Sequence, residues 1–150
     1  MSETEKERTL FCVTDGRVVS VSELAERTAG GGFAVIPAGN AAARLYRRLT
    51  GRKELSALAP ADGVVIKREG SRLTLRTADA LELSVDLGDG AQVKAQVGER
   101  VLCGERIGVL GEGGRAVVLF PDTTRVTEFH VFAGRRRRGA AAAFYRVIQT

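Results

Sequence analysis

The stretch Val97-Gly98-Glu99-Arg100-Val101-Leu102-Cys103-Gly104-Glu105-Arg106-Ile107 sets two glycines six residues apart around a short β-branched and leucine-bearing run. Glycine adopts positive φ without a Cβ penalty, so it serves the corners, while Val101 and Ile107 supply core side chains between them. Upstream, Ala59-Pro60-Ala61-Asp62-Gly63-Val64-Val65 repeats the logic as a turn feeding a strand. Short strands joined at glycine corners predict an all-β chain.

Working outward, the 18 glycines fall between short β-rich runs. Strands are expected at Leu10 to Val13, Arg17 to Val21, Phe33 to Ile36, Gly63 to Lys67, Arg72 to Thr77, Leu81 to Leu87, Glu99 to Leu102, Arg106 to Leu110, Ala116 to Phe120 and Glu128 to Phe132. Leu73 and Leu75 alternate with Arg72, Thr74 and Arg76, and Leu81, Leu83 and Val85 repeat the period of two. One buried face per strand suits a sandwich or barrel and not a parallel α/β sheet. One segment departs from this. Ala42, Leu45, Tyr46 and Leu49 recur at helical spacing between a capping Asn40 and a terminating Gly51, which predicts a short helical insertion over 41–55. Gly139 to Gln149 reads as either helix or strand, because Ala140–Ala143 favours the first and Tyr145–Ile148 the second.

The 150 residues suffice for one domain with a sizeable core, expected over 10–150 behind a polar, disordered lead over 1–9. Hydrophobic residues make up 44% and charged residues 27%, as in ordinary soluble domains. No apolar run is long enough to span a bilayer, and the polar N-terminus does not read as a secretory signal, so a cytoplasmic location is expected. Cys12 and Cys103 form no C-x-x-C pair and read as reduced, mostly buried small hydrophobes. No metal or cofactor is expected. The net charge of +5 is clumped, in Arg135–Arg138 and in Arg44, Arg47, Arg48, Arg52 and Lys53. Aromatics are 5% and Trp is absent, leaving little to stack on bases. An acidic protein surface is therefore the expected partner of this charge, ahead of nucleic acid. The Gly111-Glu112-Gly113-Gly114 run has no P-loop lysine after it and reads as a hairpin turn. The single histidine, His130, alternates onto a strand face with Glu128 and Phe132 and reads as a surface or part-buried polar group.

Taken together, the two half-motifs resemble the rhythm of barrel-sandwich hybrid folds, which biotinyl and lipoyl carriers, some metallopeptidases and glucose-type IIA domains share. A carrier needs lysine at a hairpin tip, which none of Lys6, Lys53, Lys67 and Lys94 provides, and the peptidases need several histidines. Three further stretches are more specific. Ala25 to Asn40, AERTAGGGFAVIPAGN, resembles the A-E-x-x-x-G-D-G-x-A-I-x-P-x-G-N pattern of the glucose-type enzyme IIA of the bacterial sugar phosphotransferase system. Ala59–Gly63 is similar to its A-P-x-D-G, and Leu81–Gly88, LELSVDLG, to its V-E-L-F-V-H-F-G, with Val97–Ile107 following in order. The ordered set spans roughly residues 11–120. It implies a glucose-permease IIA-like β-sandwich, or barrel-sandwich hybrid, carrying the inserted helix.

The resemblance also implies where the chemistry has changed. The family's phosphoryl-accepting histidine, charged by the phosphocarrier HPr and discharged to a IIB domain, falls on Asp86. A helper histidine fifteen residues earlier falls on Ser71. Imidazole suits a relay because it titrates near neutrality, whereas an acyl phosphate on a carboxylate needs compensation of converging negative charge. The apolar docking positions for HPr fall in part on Thr28, Ala29, Ser84 and Gln92, while Leu24 and Leu73 remain apolar, so the apolar centre is weakened. The reading is thus a IIA-like regulatory or binding homologue that cannot be phosphorylated on histidine. The alternatives are a phosphocarrier working through Asp86 in sugar uptake, and a basic module binding an acidic protein or nucleic acid.

Overall fold

The structure, a computed structural model, describes residues 4–21, 31–37, 45, 49, 55–111, 114–121 and 125–149. Its strands are β1 (Thr4–Phe11), β2 (Gly16–Ser20), β3 (Gly32–Ile36), β4 (Leu55–Leu58), β5 (Gly63–Glu69), β6 (Arg72–Thr77) and β7 (Glu82–Asp86). They continue with β8 (Gln92–Val93), β9 (Arg100–Val101), β10 (Arg106–Leu110), β11 (Ala116–Leu119), β12 (Val126–Val131), β13 (Gly134–Arg136) and β14 (Ala141–Gln149). Three open sheets result: an eight-stranded sheet in the order β13-β2-β3-β11-β7-β6-β5-β9, and two three-stranded sheets, β1-β14-β12 and β4-β10-β8. The fold is all-β. Among the described residues no helix is long and apolar enough to cross a membrane.

Side-chain pattern accounts for position. In β6 the sequence RLTLRT buries Leu73, Leu75 and Thr77 and turns Arg72 and Arg76 outward, as the period of two requires. Central β3 and β10 are buried on both faces, and their sequences GFAVI and RIGVL read accordingly as near-continuous apolar runs. One core unites the sheets, with Phe33, Phe120, Leu10, Leu73, Leu75, Leu83, Leu87 and Ile107 its largest enclosed side chains. Phe120 meets Tyr145 edge-on at 4.8 Å, locking β11 against β14. The corners expected at Gly98 and Gly104 have φ of 92° and 88°. Gly32 serves a different need: a Cβ there would lie 2.6 Å from the Leu119 Cβ of neighbouring β11.

Two expectations change, and a third falls mostly outside the described residues. The disordered lead over 1–9 is corrected from Thr4 onward, because β1 pairs antiparallel with β14 from Thr4↔Gln149 to Phe11↔Ala141. Glu5, Lys6, Glu7 and Thr9 are exposed, so the strand reads as polar, yet Leu10 is wholly enclosed. The ambiguous 139–149 region resolves as strand β14, which β1 and β12 flank. The helical insertion over 41–55 lies mostly outside the described residues. Leu45 and Leu49 are helical, and Leu55 already belongs to β4.

Candidate functional site

Strands β6 and β7 run antiparallel with Arg72 opposite Asp86 and Leu73 opposite Val85. Ser71 and Gly70 form the two-residue link from β5, whose Glu69 pairs with Arg72, and Gly70 takes φ 58° to close it. The Leu87 amide then donates to the Ser71 carbonyl at 3.0 Å, which holds the hairpin tip level with the end of β7. Local pairing therefore brings together two residues fifteen apart in sequence.

Their side chains meet directly. The Ser71 hydroxyl donates to Asp86 Oδ1 at 3.0 Å, and the Gly88 amide donates to the same oxygen at 2.9 Å. Gly88 has φ 79°, a left-handed conformation that glycine adopts without a Cβ penalty. Arg72 Nη2 lies 3.4 Å from Asp86 Oδ2, with the carboxylate side chain 31% exposed and the arginine 57%. Burial by itself pushes the Asp86 carboxyl upward. The Gly88 amide, the Ser71 hydroxyl and the Arg72 cation together outweigh it and hold the group below its ordinary value. Asp86 is an ionised carboxylate at neutral pH.

This carboxylate opens onto a groove of ≈ 580 Å³ on the outer face of the eight-stranded sheet, walled by Arg72, Thr74, Ser84, Asp86, Val117 and Leu119. Lys67 and Glu69 stand at its margin as an exposed ion pair 2.9 Å apart. The register shift between Val65 and Lys67 in β5 marks a bulge, a common means of re-aiming side chains beside a site. Among the described residues no group of three or more His, Cys, Asp and Glu is placed to hold a metal.

The positions assigned to docking separate. Ser84, 7% exposed, lines the groove. Leu73 is corrected: it is 0% exposed and points into the core, because it alternates with Arg72 and not alongside it. Gln92 is exposed on β8 of another sheet and is absent from the groove wall. Leu24, Thr28 and Ala29 lie outside the described residues. His130 is hydrogen-bonded to Glu128 and stacked on Phe144 at 4.7 Å, remote in the fold on β12. Sequence reasoning missed Arg72 as a partner of Asp86. The signal was present, since alternation turns Arg72 and Asp86 to the same face once β6 and β7 are paired.

The chain is similar in structure to glucose permease IIA from Mycoplasma capricolum, with a TM-score of 0.68 and 15% sequence identity, over 93% of this chain and 96% of that one. No family model matches the sequence, and no curated protein matches it. A likeness of that extent across almost the whole of both chains means that this protein has the fold of glucose permease IIA.

Proposed function

We propose that the protein is a sugar phosphotransferase IIA-like module that does not relay phosphoryl groups and acts in the cytoplasm as a binding or regulatory homologue. One observation carries the reading: Asp86 is held as an anion whose inward oxygen is already saturated by the Ser71 hydroxyl and the Gly88 amide. To accept a phosphoryl group, a carboxylate oxygen would attack phosphorus while the bond to the donor histidine breaks. The attacking charge would approach anionic phosphoryl oxygens. Two like unit charges about 4 Å apart repel by roughly 4 kcal/mol at an effective dielectric near 20. Arg72, the guanidinium beside it among the described residues, is more than half exposed and offsets only part of that. A neutral imidazole would face no such penalty.

On this reading the groove binds and does not transfer. Ser84 on its wall, together with Leu24, Thr28, Ala29 and Gln92 at the positions the resemblance assigns, belongs to a contact surface less apolar than the one HPr meets in the family. A fixed negative charge at Asp86 is then the feature that a partner reads.

The test is intact mass after incubation with phosphoenolpyruvate, enzyme I and HPr, for wild type, Asp86→His and Asp86→Asn. Wild type is expected to remain unmodified. A gain of one phosphoryl mass in wild type that is lost in Asp86→Asn would establish Asp86 as an acceptor and sink the proposal. Labelling of Asp86→His alone would place the loss at the nucleophile and leave HPr docking intact.

A further inference from the structure

One of the chain's two basic clusters lies at a sheet edge. Strand β13 is the outermost member of the eight-stranded sheet and, among the described residues, has a neighbour, β2, on one side only. In that pairing Arg135 lies opposite Arg17 and Arg136 opposite Gly16. Arg17, Arg135, Arg136, Arg137 and Arg138 are all exposed. The chain has 23 Lys and Arg against 18 Asp and Glu, and five of those cations stand together here. Among the described residues none of the five makes an ion pair. Asp15, the acid beside them, accepts from the Arg138 backbone amide at 2.8 Å.

The arginines are also held in place. The Gly139 amide donates to the Cys12 carbonyl at 2.9 Å, the Cys12 amide to the Ala140 carbonyl at 2.7 Å, and the Ala140 amide to the Arg137 carbonyl at 3.0 Å. Arg136 Nε reaches the Phe132 carbonyl at 3.4 Å. A pinned turn lowers the ordering cost of binding, and planar guanidinium forks match carboxylates two bonds at a time. Like charges on an edge also deter self-association, but one or two suffice for that.

We propose that the edge formed by Arg17 and Arg135–Arg138 docks an extended acidic segment of a protein partner, laid along the open side of β13 with its carboxylates on the guanidinium groups. Strand addition supplies main-chain hydrogen bonds, and the arginines supply selectivity for acidic side chains. Single-stranded nucleic acid fits less well. The adjoining aromatic rings are used among themselves, His130 on Phe144 at 4.7 Å and Phe132 on Phe144 at 5.8 Å. That face also carries Glu128 and Glu7, both near Arg146. The proposal is independent of what happens at Asp86.

The experiment titrates the full chain into a short fluorescent Asp/Glu-rich peptide and reads anisotropy at several salt concentrations, with a single-stranded oligonucleotide and a backbone N-methylated version of the peptide alongside. The acidic peptide is expected to bind and to weaken with salt. Each arginine neutralised is expected to weaken it roughly two- to fivefold, so Arg135→Gln/Arg137→Gln and Arg17→Gln/Arg138→Gln should each lose about tenfold with unchanged thermal unfolding. Binding of the peptide by both variants as tightly as by wild type would overturn the proposal, as would absence of peptide binding by wild type or tight oligonucleotide binding without peptide binding. Undiminished binding of the N-methylated peptide would overturn the strand-addition geometry.

Discussion

Removing Arg8 tests whether the N-terminal strand belongs to the folded body. Arg8 on β1 grips the Asp79 carboxylate with two prongs, Nε to Oδ2 at 3.0 Å and Nη2 to Oδ1 at 3.1 Å. Asp79 lies in the turn between β6 and β7 with its side chain only 5% exposed, whereas the Arg8 side chain is 41% exposed. Arg125 extends the clasp, donating to the Asp79 carbonyl at 2.8 Å and to the Ile148 carbonyl at 3.1 and 3.3 Å. An exposed ion pair contributes about 0–1 kcal/mol, and stripping the partner from a buried charge costs about 3–5 kcal/mol. With one member enclosed and the other partly wet, Arg8→Ala is expected to cost about 2 kcal/mol, lowering Tm by about 4–8 °C in a chain of this size. Urea unfolding of Arg8→Ala, Asp79→Ala and the double variant gives the coupling directly, expected at about 1.5 kcal/mol or more. A disordered lead predicts none. Coupling below about 0.5 kcal/mol, with Arg8→Ala at wild-type stability, would refute the reasoning.

Three other expectations follow from named contacts. The folded Asp86 carboxyl sits below its ordinary value, so its stabilisation is fully present above the unfolded value near about 4 and is lost as pH falls through the folded one. The stability gap between wild type and Asp86→Asn should therefore be widest near neutrality and close on acidification, and urea midpoints across pH would show a constant gap if the carboxylate were not engaged. Ala80 holds φ 60°, a conformation that favours glycine, so Ala80→Gly should raise stability by about 0.5–1 kcal/mol, and a loss in calorimetry would contradict the strain. Burial pushes the Cys12 thiol up to about 11, while Cys103 is exposed. A thiol reagent should then modify one cysteine in the native protein and two in urea, and two fast native reactions would contradict the burial of Cys12.

What could be read from sequence divides along a physical line. Arg72–Thr77 and Arg106–Leu110 coincide with β6 and β10 because each strand's own burial pattern is written in its side chains. Strand β1 was illegible for the opposite reason. Its stability comes from β14, more than a hundred residues away, and its outward face is charged. In β14 a local helix preference in Ala140–Ala143 loses to pairing on both edges, the ordinary way tertiary context overrides propensity. Strands β8 and β13 are too short, at two and three residues, to show any period. At the site, the family resemblance could pair Ser71 with Asp86, but Arg72 could not be assigned without the β6–β7 register.

The Ser71–Asp86 pair makes chemical sense as a unit. A hydroxyl at the hairpin tip needs an acceptor, and a half-buried carboxylate needs donors. Each satisfies the other at 3.0 Å, with the Gly88 amide completing the inward oxygen. Replacing either alone would leave a polar group short of a partner, at about 1–3 kcal/mol where it is enclosed. Two histidines at these positions would form a different unit, with a titrating nucleophile and a donor for incoming oxygens. The present pair instead spends its donor on its own acceptor. What remains facing the groove is a single carboxylate oxygen, Oδ2, with Arg72 beside it. That atom has charge to be recognised, and the same charge repels an incoming anionic phosphoryl group.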